Sequence, residues 1–126
     1  PLTEAAKKYE ENIGKNLIAT SCNIIENLRE WVETDLELAT GEILKAVNLI
    51  KSYKESAATY LADPVAVKEF QDKLDSSIEA ASDLQISLLS QDSSGLSRVP
   101  ALIEGMQDAD KVAKVSLGIP TTPLCL

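Results

Sequence analysis

TDLELATGEILKAVNLIKSYKESAATYL, residues 34–61, decides the fold class. Within it Leu36, Ala39, Ile43, Ala46, Ile50, Tyr53, Ala57 and Tyr60 recur at alternating steps of three and four. That period winds one apolar seam along a single long helix. Thr34 and Glu37 stand at capping-box spacing, so the seam is expected to open on a reciprocal bond between the Thr34 hydroxyl and the Glu37 carboxylate. A seam of this length is stable in water only against partner helices. The rest of the chain is therefore read for them.

Upstream, Thr3 is placed to cap a first helix over about 3–32. Its main stripe is Ile13, Leu17, Ile24, Leu28 and Trp31, and Ile18, Cys22, Ile25 and Val32 form a second stripe beside it. Together they predict a broad apolar face. Lys7, Lys8, Glu10, Glu11 and Lys15 make the entry turns polar, and that end is expected to fray. Gly14 costs about 1 kcal/mol relative to Ala inside a helix unless a neighbour packs closely against it. The corner to the second helix (35–62) is set at Glu33-Thr34-Asp35, with Thr40-Gly41 as the alternative break.

Downstream, Asp63-Pro64 is an N-cap followed by proline at the first helical position, and starts a third helix over 64–90. Val67, Phe70, Leu74, Ile78, Ala81, Leu84 and Leu88 line one of its faces. Glu69, Asp72, Asp75, Glu79 and Asp83 line the other. Gln91 to Gly95 reads as a polar loop without periodicity. A fourth helix, 98–117, carries Leu102, Met106, Ala109, Ala113 and Leu117, helped by Ile103 and Val112. Gly118-Ile119-Pro120 is a stop signal, and an extended tail, 118–126, follows. The expectation is an all-α protein: one antiparallel four-helix bundle, a single domain over 1–126, with an extended C-terminal tail.

Composition narrows the function classes. The 126 residues carry 12 basic and 20 acidic side chains, a formal charge of −8. Polyanionic nucleic acid and anionic lipid surfaces repel such a chain, and no run approaches the roughly 20 apolar residues of a membrane span. Residues 63–97 hold seven acidic side chains against two basic ones, so the acidity is concentrated on the third helix. The sequence contains no histidine, which removes Ser–His and Cys–His dyads and the common zinc and di-iron ligand sets. It contains no glycine-rich phosphate loop and no EF-hand, so neither a cofactor nor a metal is expected. Asp72 with Glu79 as a catalytic pair is read instead as solvated surface, and a weak cation site at Asp108 and Asp110, which flank one short turn of the fourth helix, is not expected either. Enzymatic activity is not expected.

Two cysteines remain, Cys22 and Cys125. A bridge between them would lay the tail against the first helix, bury Ile119, Leu124 and Leu126, and imply an oxidising compartment. The chain opens on Pro1-Leu2-Thr3 without an initiator Met, a start that fits a mature protein after signal cleavage and equally an expressed chain trimmed of its leading residues. It carries no Asn-x-Ser/Thr sequon. Trp31, Tyr53 and Tyr60 are expected in the core with their polar ends at its rim.

These features predict a secreted, non-enzymatic helical protein that binds another protein. Such a protein would block an extracellular enzyme or receptor, in the manner of small proteins of saliva, venom and haemolymph. The partner would present a basic patch to the acidic face Glu69, Asp72, Asp75, Glu79 and Asp83. One alternative is a carrier of a small hydrophobic ligand in the bundle core, suggested by small residues along the seams such as Ala46, Ser77 and Ala109. A second is an oligomerising module, with the 34–61 seam pairing between chains.

Overall fold

A computed structural model describes residues 2–121 and Cys125. Leu124 and Leu126, expected to be buried by the tail, lie outside the described residues. The elements run α1 (Glu4–Tyr9), a π-helix (Glu10–Gly14), α2 (Lys15–Thr34), α3 (Leu36–Tyr60), α4 (Pro64–Leu89), a 3-10 helix (Ser93–Arg98) and α5 (Val99–Leu117). The backbone stays helical through Tyr9, Glu10, Gly14 and Lys15, so α1, the π-helix and α2 form one rod. Four long helices result. Each packs on its chain neighbour, and α5 returns to close the bundle on α2.

The seam of α3 runs as its period predicts: Ala39, Ile43, Ala46, Ile50, Tyr53 and Ala57 are all buried. It meets the core inside its own chain, so it is not free to pair with a second one. Leu17 and Ile24 from α2, Phe70, Leu74 and Leu84 from α4, and Leu102 and Met106 from α5 fill the same core. Each such aliphatic or aromatic side chain contributes about 1.5–3 kcal/mol by leaving water.

The corner between α2 and α3 falls where expected, and Gly41 lies inside the helix. The cap itself is shifted by one residue. Asp35 is the N-cap and accepts from the Leu38 amide at 3.1 Å, while Thr34 ends α2 with its hydroxyl donating to the Glu30 carbonyl. The Thr34–Glu37 box does not form, because a carboxylate next in sequence accepts better and carries the charge that the positive helix end favours. Thr3 caps α1 through the Ala6 amide, and Asp63 caps α4 through the Val65 amide.

At the other ends, Gly118 takes the left-handed conformation (φ 69°) and Ile119 donates back to the Lys114 carbonyl. Ile119 is buried behind it. This is the glycine stop read from sequence. Gln91 makes the same kind of turn after α4 without being glycine, at φ 55°. Residues read as an irregular polar loop then wind into the 3-10 helix. Asp92 caps it by accepting from the Ser94 amide and hydroxyl, and the Gly95 amide donates to the Ser87 hydroxyl of α4.

Two further expectations are corrected. The first helix does not fray at its polar entry, since Ala6 and Tyr9 are wholly buried. Its second stripe is not a broad buried face either: Ile25 is half exposed, and Ile18, Cys22 and Val32 are only partly covered. The small residues serve close helix approach. A Cβ on Gly105 of α5 would collide with the Ser77 hydroxyl of α4, and that hydroxyl donates to the Leu102 carbonyl at 2.7 Å.

Candidate functional site

The π-helix exists because of spacing. Tyr9, Ile13, Leu17 and Ser21 follow one another at steps of four, and each is buried. In an α-helix each such step drifts about 40° around the axis. One wider turn, in which the Lys15 amide bonds the Glu10 carbonyl five residues back, corrects that drift. It keeps Tyr9 and Leu17 on the same core.

The correction carries polar groups inward with Tyr9. Its hydroxyl donates to Asp110 Oδ1 of α5 at 2.7 Å, and Lys114, one turn on, donates from Nζ to Asp110 Oδ2 at 2.6 Å. The side chains of Asp110 and Lys114 are 3% and 5% exposed, so the ion pair stands almost entirely out of water. Glu10 joins from the π-helix, its Oε1 lying 3.7 Å from Lys114 Nζ. That oxygen is buried and makes no hydrogen bond. Burial first, then the Asp110 charge and hydrogen bond, push the Tyr9 phenol far above its ordinary pKa. Removing either member of a buried ion pair costs about 3–5 kcal/mol, because the other is left uncompensated.

Gly14 makes room for this cluster. A Cβ there would collide with Glu10 Oε1 and stand 2.9 Å from the Tyr9 ring and 3.1 Å from Asp110 Oδ1. The close neighbour required of a mid-helix glycine is thus present. Outside the cluster, Glu10, Glu11, Gly14, Lys15, Ile18 and Lys114 enclose a groove of about 310 Å³ between the rod and α5.

Three signals in the sequence point to this cluster, and none of them stands out against the polar entry turns. They are the four-residue spacing of Tyr9, Ile13 and Leu17, the i,i+4 pair Asp110–Lys114 beside the α5 seam, and the glycine between Glu10 and Ile18. Asp108 and Asp110 do not flank a shared cation site: Asp108 is exposed, and Asp110 is buried with Lys114 for its cation.

The five acidic residues of α4 do not form one uniform surface. Three have partners within the chain: Asp72 with Lys68 at 2.9 Å, Asp75 with Lys54 of α3 at 2.7 Å, and Asp83 with Arg98 at 3.0 Å. Glu69 and Glu79 have no ion partner among the described residues. Asp72 and Glu79, the conceivable acid–base pair, both face solvent.

Glu69 also lines a larger groove of about 630 Å³ between the start of α4 and the end of α5, where Val65, Ala66, Val112 and Val115 stand among the charged Asp63, Lys73, Asp108 and Lys111. Val65 and Val115, 71% and 70% exposed, stand on its two helices. Tyr53 and Tyr60 sit as expected, with their hydroxyls at the core rim meeting the amides of Asn16 and Asn12.

The sulfurs of Cys22 and Cys125 stand at disulfide distance, with Cα atoms 5.1 Å apart. The Gln107 amide lies 3.9 Å from the Cys125 sulfur, so Cys125 is held between α2 and α5. Among the described residues no helix is long and apolar enough to cross a membrane, and no cluster of three acidic or cysteine side chains has metal-binding geometry. Comparison with protein-family models, with curated proteins and with solved structures finds no match to this chain.

Proposed function

We propose that this chain is a non-enzymatic extracellular binding protein whose target is another protein with a basic patch, such as an enzyme or receptor that it blocks. The observation that carries this reading is the acidic strip Glu69, Asp72, Asp75, Glu79 and Asp83 along one helix. An acidic strip on a rigid bundle accelerates encounter with a basic surface and discriminates against acidic ones. The cysteine pair agrees with an oxidising, extracellular setting.

The intrachain ion pairs sharpen the prediction. Glu69 and Glu79 hold charge that the bundle does not use, so they are the contact centre. Charge reversal at both, Glu69→Lys with Glu79→Lys, leaves the three ion pairs of α4 in place. Capture of a basic protein from the extracellular fluid bathing this protein should weaken at least tenfold in the double variant. It should also weaken with added salt. Capture that survives both treatments would sink the reading.

A second reading rests on the groove between α4 and α5. Its exposed valines and its volume suit a small apolar ligand, carried at the surface rather than in the core. Intact mass of protein purified from its source separates the two. Added mass that disappears on denaturation supports carriage, and a bare chain supports protein binding.

A further inference from the structure

The four most exposed large apolar side chains among the described residues are Leu89, Val65, Val115 and Ile86, at 74%, 71%, 70% and 66%; no other exceeds 50%. Three of them stand on α4, and Val115 lines the same groove as Val65. Val65, Asp72, Glu79 and Ile86 follow one another at steps of seven, and all four are exposed. α4 packs on α3 and α5 through its other faces, so this line runs along the open outer side of the bundle. From Val65 to Ile86 it is about 32 Å long. We propose that the line docks a helix of the partner protein that carries the series apolar, basic, basic, apolar at the same seven-residue steps. The inference rests on the reading of the acidic strip as a protein-binding surface, and it specifies the partner.

Seven-residue steps drift by about 20° each on a straight helix, and a second helix crossing at about 20° follows that drift. The ends and the centre of the line then fix what lies opposite them. Val65 at one end, and Ile86 with Leu89 at the other, meet apolar side chains; Asp72 and Glu79 meet basic ones. The charged groups on this side are Lys68, Glu69, Asp72, Asp75, Glu79 and Asp83 of α4, with Lys54 and Arg98 reaching in from its neighbours. Three ion pairs occupy Asp72, Asp75 and Asp83, and Glu69 and Glu79 set the sign of the face. Asp72 is still 59% exposed beside Lys68 and has room for a second cation. Lys73 and Lys111 lie off the line, in the groove to α5, where Asp63 and Asp108 oppose them in equal number.

Other occupants fit less of the line. A second copy of this chain, laid along it in either direction, sets Asp72 and Glu79 against carboxylates. An anionic lipid surface is repelled by the same groups. A flat basic patch answers Glu69 and Glu79 and leaves Val65, Ile86 and Leu89 in water. A helix with apolar ends and a basic centre answers both kinds of group at once.

The test is titration of the ¹⁵N-labelled full chain, followed by amide chemical shifts, with two synthetic helical peptides of about 28 residues. One carries leucine in its first and fourth heptads and lysine in its second and third, on an alanine–glutamine background. The other exchanges the leucines and the lysines, and so has the same composition and charge. The expected result is a saturable shift along Val65, Asp72, Glu79 and Ile86 with the first peptide, at least about tenfold tighter than with the second. Val65→Ser with Ile86→Ser should weaken it by at least about tenfold; both side chains are exposed, and folding is checked from the same spectra. Equal binding of the two peptides, abolished by Glu69→Lys with Glu79→Lys, overturns the inference and leaves the basic-patch reading standing. Binding of the first peptide that ignores the serine variant, or no saturable shift on α4 with either peptide, overturns it as well. The capture experiment with the double lysine variant then decides the basic-patch reading by itself.

Discussion

Tyr9 concentrates the chemistry of the core in one side chain. It is fully buried, its ring meets Phe70 edge-on at 6.3 Å, and its hydroxyl satisfies one oxygen of a carboxylate that has almost no access to water. Tyr9→Phe keeps the ring and leaves Asp110 short of a donor, so it should cost about 1–3 kcal/mol in urea unfolding at pH 7. The same residue sets the alkaline limit of the fold. Its pKa is raised on folding, from 10.0 in the unfolded chain, so the stability linked to its proton is complete below pH 10. Above pH 10 the unfolded chain releases the proton and the folded chain holds it, and stability falls as pH rises. Tyr53, also raised chiefly by burial, adds a part of this loss. Unfolding midpoints between pH 8 and 11 should therefore drop in the native chain and drop less steeply in Tyr9→Phe. Equal slopes would mean that Tyr9 is not held protonated by the fold. Nothing in the sequence near Tyr9 advertises this role: it sits among Lys7, Lys8, Glu10 and Glu11, and those charges hide a core residue in what reads as a solvated entry turn.

At the scale of elements, periodic stretches are legible in the sequence and departures from period are not. The α3 seam keeps one period for its whole length, and every residue of it from Ala39 to Ala57 is inside. The rod before it changes period at Glu10–Gly14, so a constant 3.6-residue template finds the main stripe Leu17, Ile24 and Leu28 after the change and misses Tyr9 before it. The α3 cap falls one residue beyond the expected position because Asp35, next to Thr34, is the better acceptor and carries the charge that the helix start favours. Two glycines separate local propensity from packing. Gly41 lies in the first turns of α3, and an added Cβ there would have nothing within 4 Å, so Gly41→Ala should stabilise by up to about 1 kcal/mol. Gly14→Ala makes the same propensity gain and meets Glu10, the Tyr9 ring and Asp110 within 3.1 Å. Glutamate can move aside; the tyrosine ring, held at its hydroxyl and packed on Phe70, cannot. Gly14→Ala should therefore destabilise by about 1–3 kcal/mol, opposite in sign to Gly41→Ala. Thermal unfolding of the two single variants measures both, and a shared sign would show that the close contact at Gly14 is relieved without loss.

For the molecule as a whole, Cys22 of the rod and Cys125 near the end of the given sequence stand at disulfide distance, and the pairing is simple to read because only two cysteines have to be matched. The acidic strip is equally readable, since it follows from charges at helical spacing on the face opposite the α4 seam. Its division into paired and free carboxylates is not: Lys54 and Arg98 reach Asp75 and Asp83 from 21 and 15 residues away, and sequence spacing does not report contacts between helices. A bond between Cys22 and Cys125 would span 103 residues. Closing a loop of that length restricts the unfolded ensemble by about 4–5 kcal/mol in the chain-entropy model. The core, by contrast, is drawn almost wholly from the helices, with Leu61 and Ile119 beside them. Cys22→Ser with Cys125→Ser should thus keep the helical circular dichroism of the native chain at low temperature while lowering its unfolding midpoint sharply. Reductant should lower the midpoint of the native chain to the same value and leave the double variant unchanged. A native chain whose midpoint ignores reductant would show that the two sulfurs are not joined in solution, and would remove the oxidising setting on which the extracellular reading leans.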